Sequence, residues 1–314
     1  MSDEPEIPHA STYQGAHTLL SAAAAPAFAL APSGAAPGFD PRRTLPLRVE
    51  LRRQLGRRRT QVAFGLLAVL PLILVAAFKF GNPTNDSGRP GTVDLVSLAT
   101  VGAPNFVAFT LFATSGFGLV VIVALFCGDT VASEANWSSL RYLLVTPVPR
   151  SRLLRQKLIV ALALSAAAIV VLPIVALAAG WAAFGWAPAR SPLGTSLPTA
   201  AALTHLAVVV GYLAVSLLFV AAVGFALSTY TDAPLGAVGG TVMLVIVSNI
   251  LDTVTALGSV RAILPTHYSY AWLDALSPTI NWDAMSRGAL SSLAYSLVFF
   301  TLAWHKFLRK DITS

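Results

Sequence analysis

The sequence has few charged residues, one cysteine and a large excess of apolar side chains. Only 11% of its 314 residues are Asp, Glu, Lys or Arg, and 55% are hydrophobic. Soluble domains average about 25% charged residues, so this shortage excludes an ordinary water-soluble globule. The single cysteine, Cys127, excludes an intrachain disulfide and a cysteine-based metal site.

Several catalytic motifs are also missing from the sequence. It contains no GxxxxGK[ST], which excludes a P-loop for ATP, and no HExxH. Its five histidines are scattered without metal-ligand spacing. No GxSxG nucleophile motif occurs either. We therefore expect a chain that is not an enzyme and that carries no cofactor or metal of its own.

Two segments precede the first long apolar run. Residues 1–41 are rich in Ala, Pro, Ser and Gly, with an acidic start that does not suit a signal peptide, and we expect a disordered cytoplasmic tail. Residues 42–60 hold eight arginines around Leu47, Leu51 and Leu55, whose spacing predicts an amphipathic helix in the membrane interface. The predicted lipid-facing cations are Arg52, Arg53, Arg57 and Arg58.

Six apolar runs follow, each long enough to cross a ~30 Å hydrocarbon core as a helix. They lie at 61–80, 106–127, 158–184, 201–228, 235–257 and 288–305. With the amino terminus inside, 16 of the 21 Lys and Arg residues fall in cytoplasmic segments, as the positive-inside rule requires. The sequence predicts an all-α polytopic membrane protein with six transmembrane helices between residues 61 and 305. Residues 306–314 form a second cytoplasmic tail, and lipid head groups rather than nucleic acid account for the net positive charge.

One polar segment, residues 128–157, separates the second and third spans. Apolar residues recur at helical spacing in its first half, and the Thr146–Pro149 run stops that helix. A second charged helix is predicted to begin at Ser151. Its excess of bases over acids predicts that the segment is cytoplasmic.

This segment resembles the loop between the second and third spans of ABC type 2 permeases, the membrane subunits of a class of ABC exporters. Ser138-Ser139 stand where that family usually has Gly-Thr, and the motif covers about a tenth of the chain. The matching positions are Gly128-Asp129, Glu134, Leu140, Leu143-Leu144, Pro147-Val148, Arg150 and Lys157.

The resemblance implies that this segment is a coupling helix, which docks on a separate ABC ATPase subunit that binds ATP and Mg²⁺. Two ATPase copies and a second permease, identical or paralogous, would complete an exporter of a hydrophobic or amphipathic, drug-like or lipid-like substrate. Both termini would lie on the cytoplasmic side of a bacterial inner membrane. The resemblance also implies short outer-leaflet helices before the sixth span. The expected docking residues are Asp129, Glu134, Leu140, Arg141, Leu143, Leu144 and Arg150.

Few ionisable residues fall within the predicted spans. Asn249, Asp252 and His205 lie near the outer ends of the fifth and fourth spans, where they would either line a substrate path or sit at the head-group layer. Two other functions stay open: an ion-coupled secondary carrier, and a non-transporting membrane anchor for a cytosolic partner. The carrier usually has several ionisable residues at mid-membrane depth.

Overall fold

The computed structural model describes residues 47–81, 95–136, 150–190 and 196–309, and these are mostly helical. The predicted tail at 1–41, the end (310–314) of the predicted tail at 306–314, and residues 137–149 of the coupling segment lie outside the described residues. The first half of the described chain contains α1 (Leu47–Leu55), α2 (Arg58–Phe80), α3 (Leu95–Ala99), α4 (Ala103–Ser115), α5 (Gly118–Asn136) and α6 (Arg150–Phe184).

The second half begins with a two-residue antiparallel strand pair, β1 (Ala189–Arg190) and β2 (Ser196–Leu197). Two 3₁₀ helices, Thr255–Ile263 and Ala271–Leu276, occupy the segment before the last long helix. The remaining α-helices of the described chain are α7 (Thr199–Ser216), α8 (Leu218–Tyr230), α9 (Pro234–Thr253) and α10 (Trp282–Arg309).

Five helical stretches have the length and composition of membrane spans. They are Arg58–Phe80, Gly118–Ala135, Ser151–Phe184, Ala200–Tyr230 and Pro234–Thr253. The chain therefore has the architecture of an all-α, multi-pass membrane protein. The sixth predicted span falls in α10, which has 28 residues but is less apolar, because serines interrupt its hydrophobic run.

The second predicted span is two helices in the structure. Helix α4 ends at Ser115 and α5 begins at Gly118. The hydroxyls of Thr110 and Thr114 donate to backbone carbonyls of the preceding turn, at 2.8 and 2.7 Å, which loosens this part of the helix. Helix α5 then continues to Asn136, so the end of the second predicted span and the first part of the coupling segment, with Asp129 and Glu134, form one continuous helix.

The fourth predicted span also has a break, at Leu217 between α7 and α8. At this break the Ser292 hydroxyl of α10 donates to two backbone carbonyls of α7. Its distances are 2.7 Å to the Val215 carbonyl and 3.0 Å to the Ser216 carbonyl. A carbonyl freed from its helix must find another donor when it is buried. The break therefore depends on α10, which the hydrophobic pattern of the fourth span alone does not show.

Helices α5 and α8 form the centre of the bundle, with α9 and α10 packed on α8 and with α6 beside α5. Glycines permit the closest approach of α5 to α8 and to α9. A Cβ added to Gly224 of α8 would lie 3.3 Å from the Gly128 amide nitrogen, and one added to Gly128 of α5 would lie 3.2 Å from Val238 of α9. The Ser228 hydroxyl of α8 accepts from the Val131 and Ala132 amides, each at 2.9 Å. These contacts fix the depth of α5 against its neighbours.

Candidate functional site

A cluster of opposite charges lies where α1, α5 and α6 meet. Helix α5 contributes acids near its carboxyl end, α6 contributes a lysine in its third turn, and the α1–α2 junction contributes most of the arginines. We call this set the ion cluster. It comprises Glu50, Arg53, Arg57, Arg59, Asp129, Glu134 and Lys157.

Lys157 and Glu134 form the buried centre of the ion cluster. Their side chains are 2% and 3% exposed, and Lys157 Nζ lies 2.6 Å from Glu134 Oε1. Glu50 Oε1 is 3.6 Å from the same ammonium. Arg53 pairs with both Glu134 and Glu50. A buried charge is tolerated only when it is paired, so these groups depend on one another.

Asp129 forms the second half of the ion cluster, one to two turns earlier on α5. Arg57 donates to its Oδ2 at 3.0 Å and to the Ser133 hydroxyl at 3.2 Å. Arg59 pairs with Oδ1 of the same carboxylate. Two carboxylates of α5 thus form ion pairs with three arginines. These ion pairs join the α1–α2 junction to α5.

Glu50 is ionised in this environment because its partners outweigh its burial. Burial raises the pKa of its carboxyl, whereas Lys157, the Gln54 amide, Arg53 and Arg57 lower it, and the net result is a pKa below the ordinary value. Gln54 Nε2 donates to Glu50 at 3.0 Å, one helical turn away. The inner face of α1 is therefore polar and charged.

The outer face of α1 combines apolar and cationic side chains. Leu47 and Leu55 are 43% and 44% exposed, whereas Leu51 packs against the core. Arg48 and Arg52 are exposed. Helix α1 thus buries Glu50 and Gln54 and exposes two leucines of its apolar stripe, an arrangement that suits a water–lipid boundary better than bulk water.

The predicted docking residues divide into two groups. Leu140, Arg141, Leu143 and Leu144 lie outside the described residues, and Arg150 is described only as the first residue of α6. Asp129 and Glu134 are buried in the ion cluster, so in this conformation they present no free surface to a partner. That these two acids touch a partner stays a prediction.

The predicted lipid-facing arginines are likewise divided. Arg52 and Arg58 are exposed, as expected for head-group contacts. Arg53 and Arg57 instead point their guanidinium groups at Glu134 and Asp129. The acids that attract them lie more than 70 residues away along the chain, which is why the sequence pattern of 42–60 did not distinguish the two pairs.

The three predicted substrate-path residues are not assembled into one site. Asp252 ends α9 and pairs with His267 Nδ1 at 2.6 Å, while Arg261 donates to its backbone carbonyl at 3.2 Å. Asn249 is half-buried one turn earlier. His205, near the start of α7, instead lies 2.7 Å from the Ala275 carbonyl and lines a separate cavity.

The sequence reasoning missed Glu50, Arg59 and Lys157 as members of a site. A usable signal existed for the first: Glu50 and Gln54 are four residues apart, so they lie on one face of α1. For Lys157, the signal was a cation at the start of a long apolar run. Neither signal identifies the partner, because the pairing joins distant parts of the chain.

In the part of the chain that the structure describes, no three His, Cys, Asp or Glu side chains are grouped so as to hold a metal ion. Residues 94–313 match a protein family whose description is "Protein of unknown function (DUF2705)". The match covers more than half of the chain, which therefore belongs to this family. A comparison with curated proteins finds no match.

Proposed function

We propose that this protein is the membrane-spanning permease subunit of an ATP-driven exporter whose ATPase is a separate chain. The observation that carries the proposal is the position of the ion cluster. Glu134 and Lys157 flank residues 137–149, the centre of the segment that resembles a coupling helix, and they pair directly at 2.6 Å. Both ends of that segment are thereby held together at one end of the helix bundle.

This arrangement suits the transmission of a force from a docked partner. A buried, multiply paired ion cluster resists separation of α5 from α6, since removal of one partner leaves an uncompensated charge. A push on residues 137–149 would therefore move α5, α6 and α1 as one body. ATP binding to the ATPase would supply the energy, by favouring one of two packings of the bundle.

The proposed topology follows from the basic residues. The ion cluster, residues 137–149 and the α8–α9 turn would face the cytoplasm with both termini, in a bacterial inner membrane. Helix α10 would serve as the sixth span, and α1 would lie in the inner interface with Arg48, Arg52 and Arg58 at phosphates. The two 3₁₀ helices, Thr255–Ile263 and Ala271–Leu276, would then lie in the outer leaflet.

The complete exporter would contain two permeases and two ATPases, with ATP and Mg²⁺ bound by the ATPase. A hydrophobic or amphipathic substrate fits a chain whose helices are apolar over most of their length. Within the described residues, the ionisable side chains lie towards the two ends of the long helices, at the ion cluster and around Asp252 and His267. An ion-coupled carrier would more usually place such groups at mid-membrane depth. An anchor for a cytosolic partner shares the same docking segment and differs only in lacking transport.

Co-purification with an ATPase tests the proposal. The chain is purified in mild detergent with the product of a neighbouring P-loop ATPase gene, and ATP hydrolysis is measured with and without the chain. The proposal predicts that the two chains form a stable, ATP-hydrolysing complex. Replacement of both Leu143 and Leu144 by Asp should abolish the ATP hydrolysis of this complex. Replacement of Asp232 in the α8–α9 turn by Asn is the control. A complex that is unaffected by the leucine replacements would contradict the docking assignment, and a complex whose ATP hydrolysis is the same with and without the chain would favour the anchor.

A further inference from the structure

A cavity of about 240 Å³ lies at the end of the bundle opposite to the ion cluster. It is enclosed by the start of α4, the start of α7, the β1–β2 pair and the 3₁₀ helix Ala271–Leu276. Helix α6 separates the two sites by a distance on the order of 40 Å, given a rise of 1.5 Å per residue between Lys157 and the helix end at Phe184. The cavity is therefore distinct from the proposed docking region.

The walls of this cavity are mostly apolar. Phe109 and Phe112 of α4, Leu206 of α7, and Leu273 and Leu276 of the 3₁₀ helix line it. An apolar cavity of about 150 Å³ can bind benzene, so a cavity of about 240 Å³ has room for a short alkyl chain. An unbranched alkyl chain is the simplest shape with this volume and this chemistry.

The rim of the cavity is polar, and its polar groups are held in position. Both atoms of the Asn105 amide are used by the backbone of Arg190: Asn105 Nδ2 donates to its carbonyl at 2.8 Å, and the Arg190 amide donates to Asn105 Oδ1 at 2.9 Å. This pairing fixes the Arg190 backbone at the cavity. The Arg190 side chain is exposed, and among the described residues it has no carboxylate partner.

His205 adds a second polar group with a defined orientation. The Ala275 carbonyl can only accept, so Nδ1 of His205 must carry the proton of their 2.7 Å contact. Nε2 is then left for a ligand, as an acceptor in the neutral ring and as a donor in the protonated ring. An apolar wall with the Arg190 guanidinium at its rim matches a molecule with one alkyl chain and one negatively charged head group.

We propose that this cavity binds a single-chain amphipath with an anionic head group, for which a fatty acid carboxylate is the simplest representative. The alkyl chain lies against Phe109, Phe112 and Leu273, and the carboxylate lies at the Arg190 guanidinium. The claim that this ligand is the exported substrate rests on the proposed function. The claim that the cavity binds it does not, because the cavity is formed by one chain without any ATPase.

Photolabelling of the purified chain in phosphatidylcholine nanodiscs tests the site in the absence of an ATPase. The probe is decanoate with a diazirine on its chain, and labelled peptides are located by mass spectrometry. We expect saturable labelling in α4 and in the 3₁₀ helix Ala271–Leu276, and competition by unlabelled decanoate. Competition of equal strength by decanol, or labelling confined to the exposed faces of α2 and α9, would overturn the proposal.

Matched variants separate the cavity from the lipid-facing surface. Ala108 lines the cavity and Ala113 lies on the exposed side of the same helix, so Ala108→Phe should weaken labelling at least tenfold and Ala113→Phe should not. Arg190→Gln should weaken labelling about tenfold, and Arg190→Lys should restore it. Labelling should not change in Arg287→Gln, the control at an exposed arginine. Equal labelling of both alanine variants would contradict the site.

A cavity-enlarging variant keeps the test decisive if Ala108→Phe fails to fold. Leu273→Ala removes three carbons from the wall, so the best competitor should lengthen by about two or three methylene groups, which take the place of the removed carbons. An unchanged chain-length preference would show that the alkyl chain lies elsewhere. Because these measurements need no ATPase, their failure would leave the proposed docking function untouched.

Discussion

Lys157 is the residue on which the ion cluster depends most. Its ammonium is almost fully buried and has two carboxylates within 4 Å, those of Glu134 and Glu50. Such a group contributes little net stability as a pair, but its removal takes one of the two cations that Glu134 and Glu50 share, and Arg53 is the other.

We expect Lys157→Met to lower the free energy of unfolding by about 3–5 kcal/mol, because the buried carboxylates of Glu134 and Glu50 lose a buried cation and keep only the half-exposed Arg53 in common. The double replacement Lys157→Met with Glu134→Leu should recover most of this loss, since it also removes the buried carboxylate that lost a cation. Unfolding in detergent provides the measurement, and Lys79→Met, at an exposed site, is the control. Equal losses in the single and double variants would mean that Lys157 acts through packing only.

Glu50 gives the ion cluster a defined pH dependence. Its pKa in the folded state is lower than the ordinary value of 4.5, so its stabilising contribution is complete above pH 4.5 and is lost as the pH falls through the lowered value. Glu50→Gln should therefore speed hydrogen exchange of the α1 amides at pH 7. The difference between wild type and variant should disappear in acid. A difference that persists or grows in acid would contradict an ionised Glu50.

At the scale of elements, the segment between α9 and α10 is held by tyrosine contacts that require glycine. The Tyr212 hydroxyl of α7 donates to the Tyr268 carbonyl at 2.6 Å, and a Cβ on Gly288 would overlap both Tyr212 and Tyr268. The Tyr295 hydroxyl donates to the Ile263 carbonyl, also at 2.6 Å. Ser248 and Thr266 add a 2.8 Å hydrogen bond. The segment is thus part of the packed bundle rather than a loose connection.

Gly288→Ala should displace Tyr212 and destabilise the protein by about 1–3 kcal/mol, as overpacking of a filled site does. Amide exchange should rise in the 3₁₀ helix Ala271–Leu276 before it rises in α5. Gly65→Ala is the matched control, because nothing lies within 4 Å of its added Cβ and alanine is the better helix former by about 1 kcal/mol. Similar effects of the two replacements would refute the glycine requirement.

The helices could be predicted from sequence, but their breaks and their pairings could not. Hydrophobic runs indicated the positions of α2, α6 and α9, because lipid-facing helices are apolar all round. The break at Leu217 depends on Ser292, and the full length of α5 depends on Arg57 and Arg53, all distant in sequence. Hydropathy ends the second span at Cys127, whereas the ion pairs of Asp129 and Glu134 allow the same helix to continue to Asn136.

At the scale of the whole molecule, the proposed topology assigns each end of the bundle to one side of the membrane. The single native cysteine, Cys127, is fully buried, so an introduced cysteine should be the main site of labelling. We expect a membrane-impermeant maleimide to label Arg287→Cys in intact cells, and to label Ser139→Cys and Asp232→Cys only after permeabilisation. The reverse pattern would place residues 137–149 on the far side of the membrane and would exclude docking to a cytosolic motor.

The central claim is that residues 137–149 contact an ATPase that drives this chain, and site-specific crosslinking from that segment tests it most directly. A photo-crosslinking amino acid is placed at Leu143, with Val260 on the opposite side as the control position. We predict that Leu143 alone crosslinks to a P-loop ATPase, and that ATP changes the yield. Crosslinks from Leu143 to lipid or to this chain only, in cells that express the candidate ATPase, would contradict the proposed function.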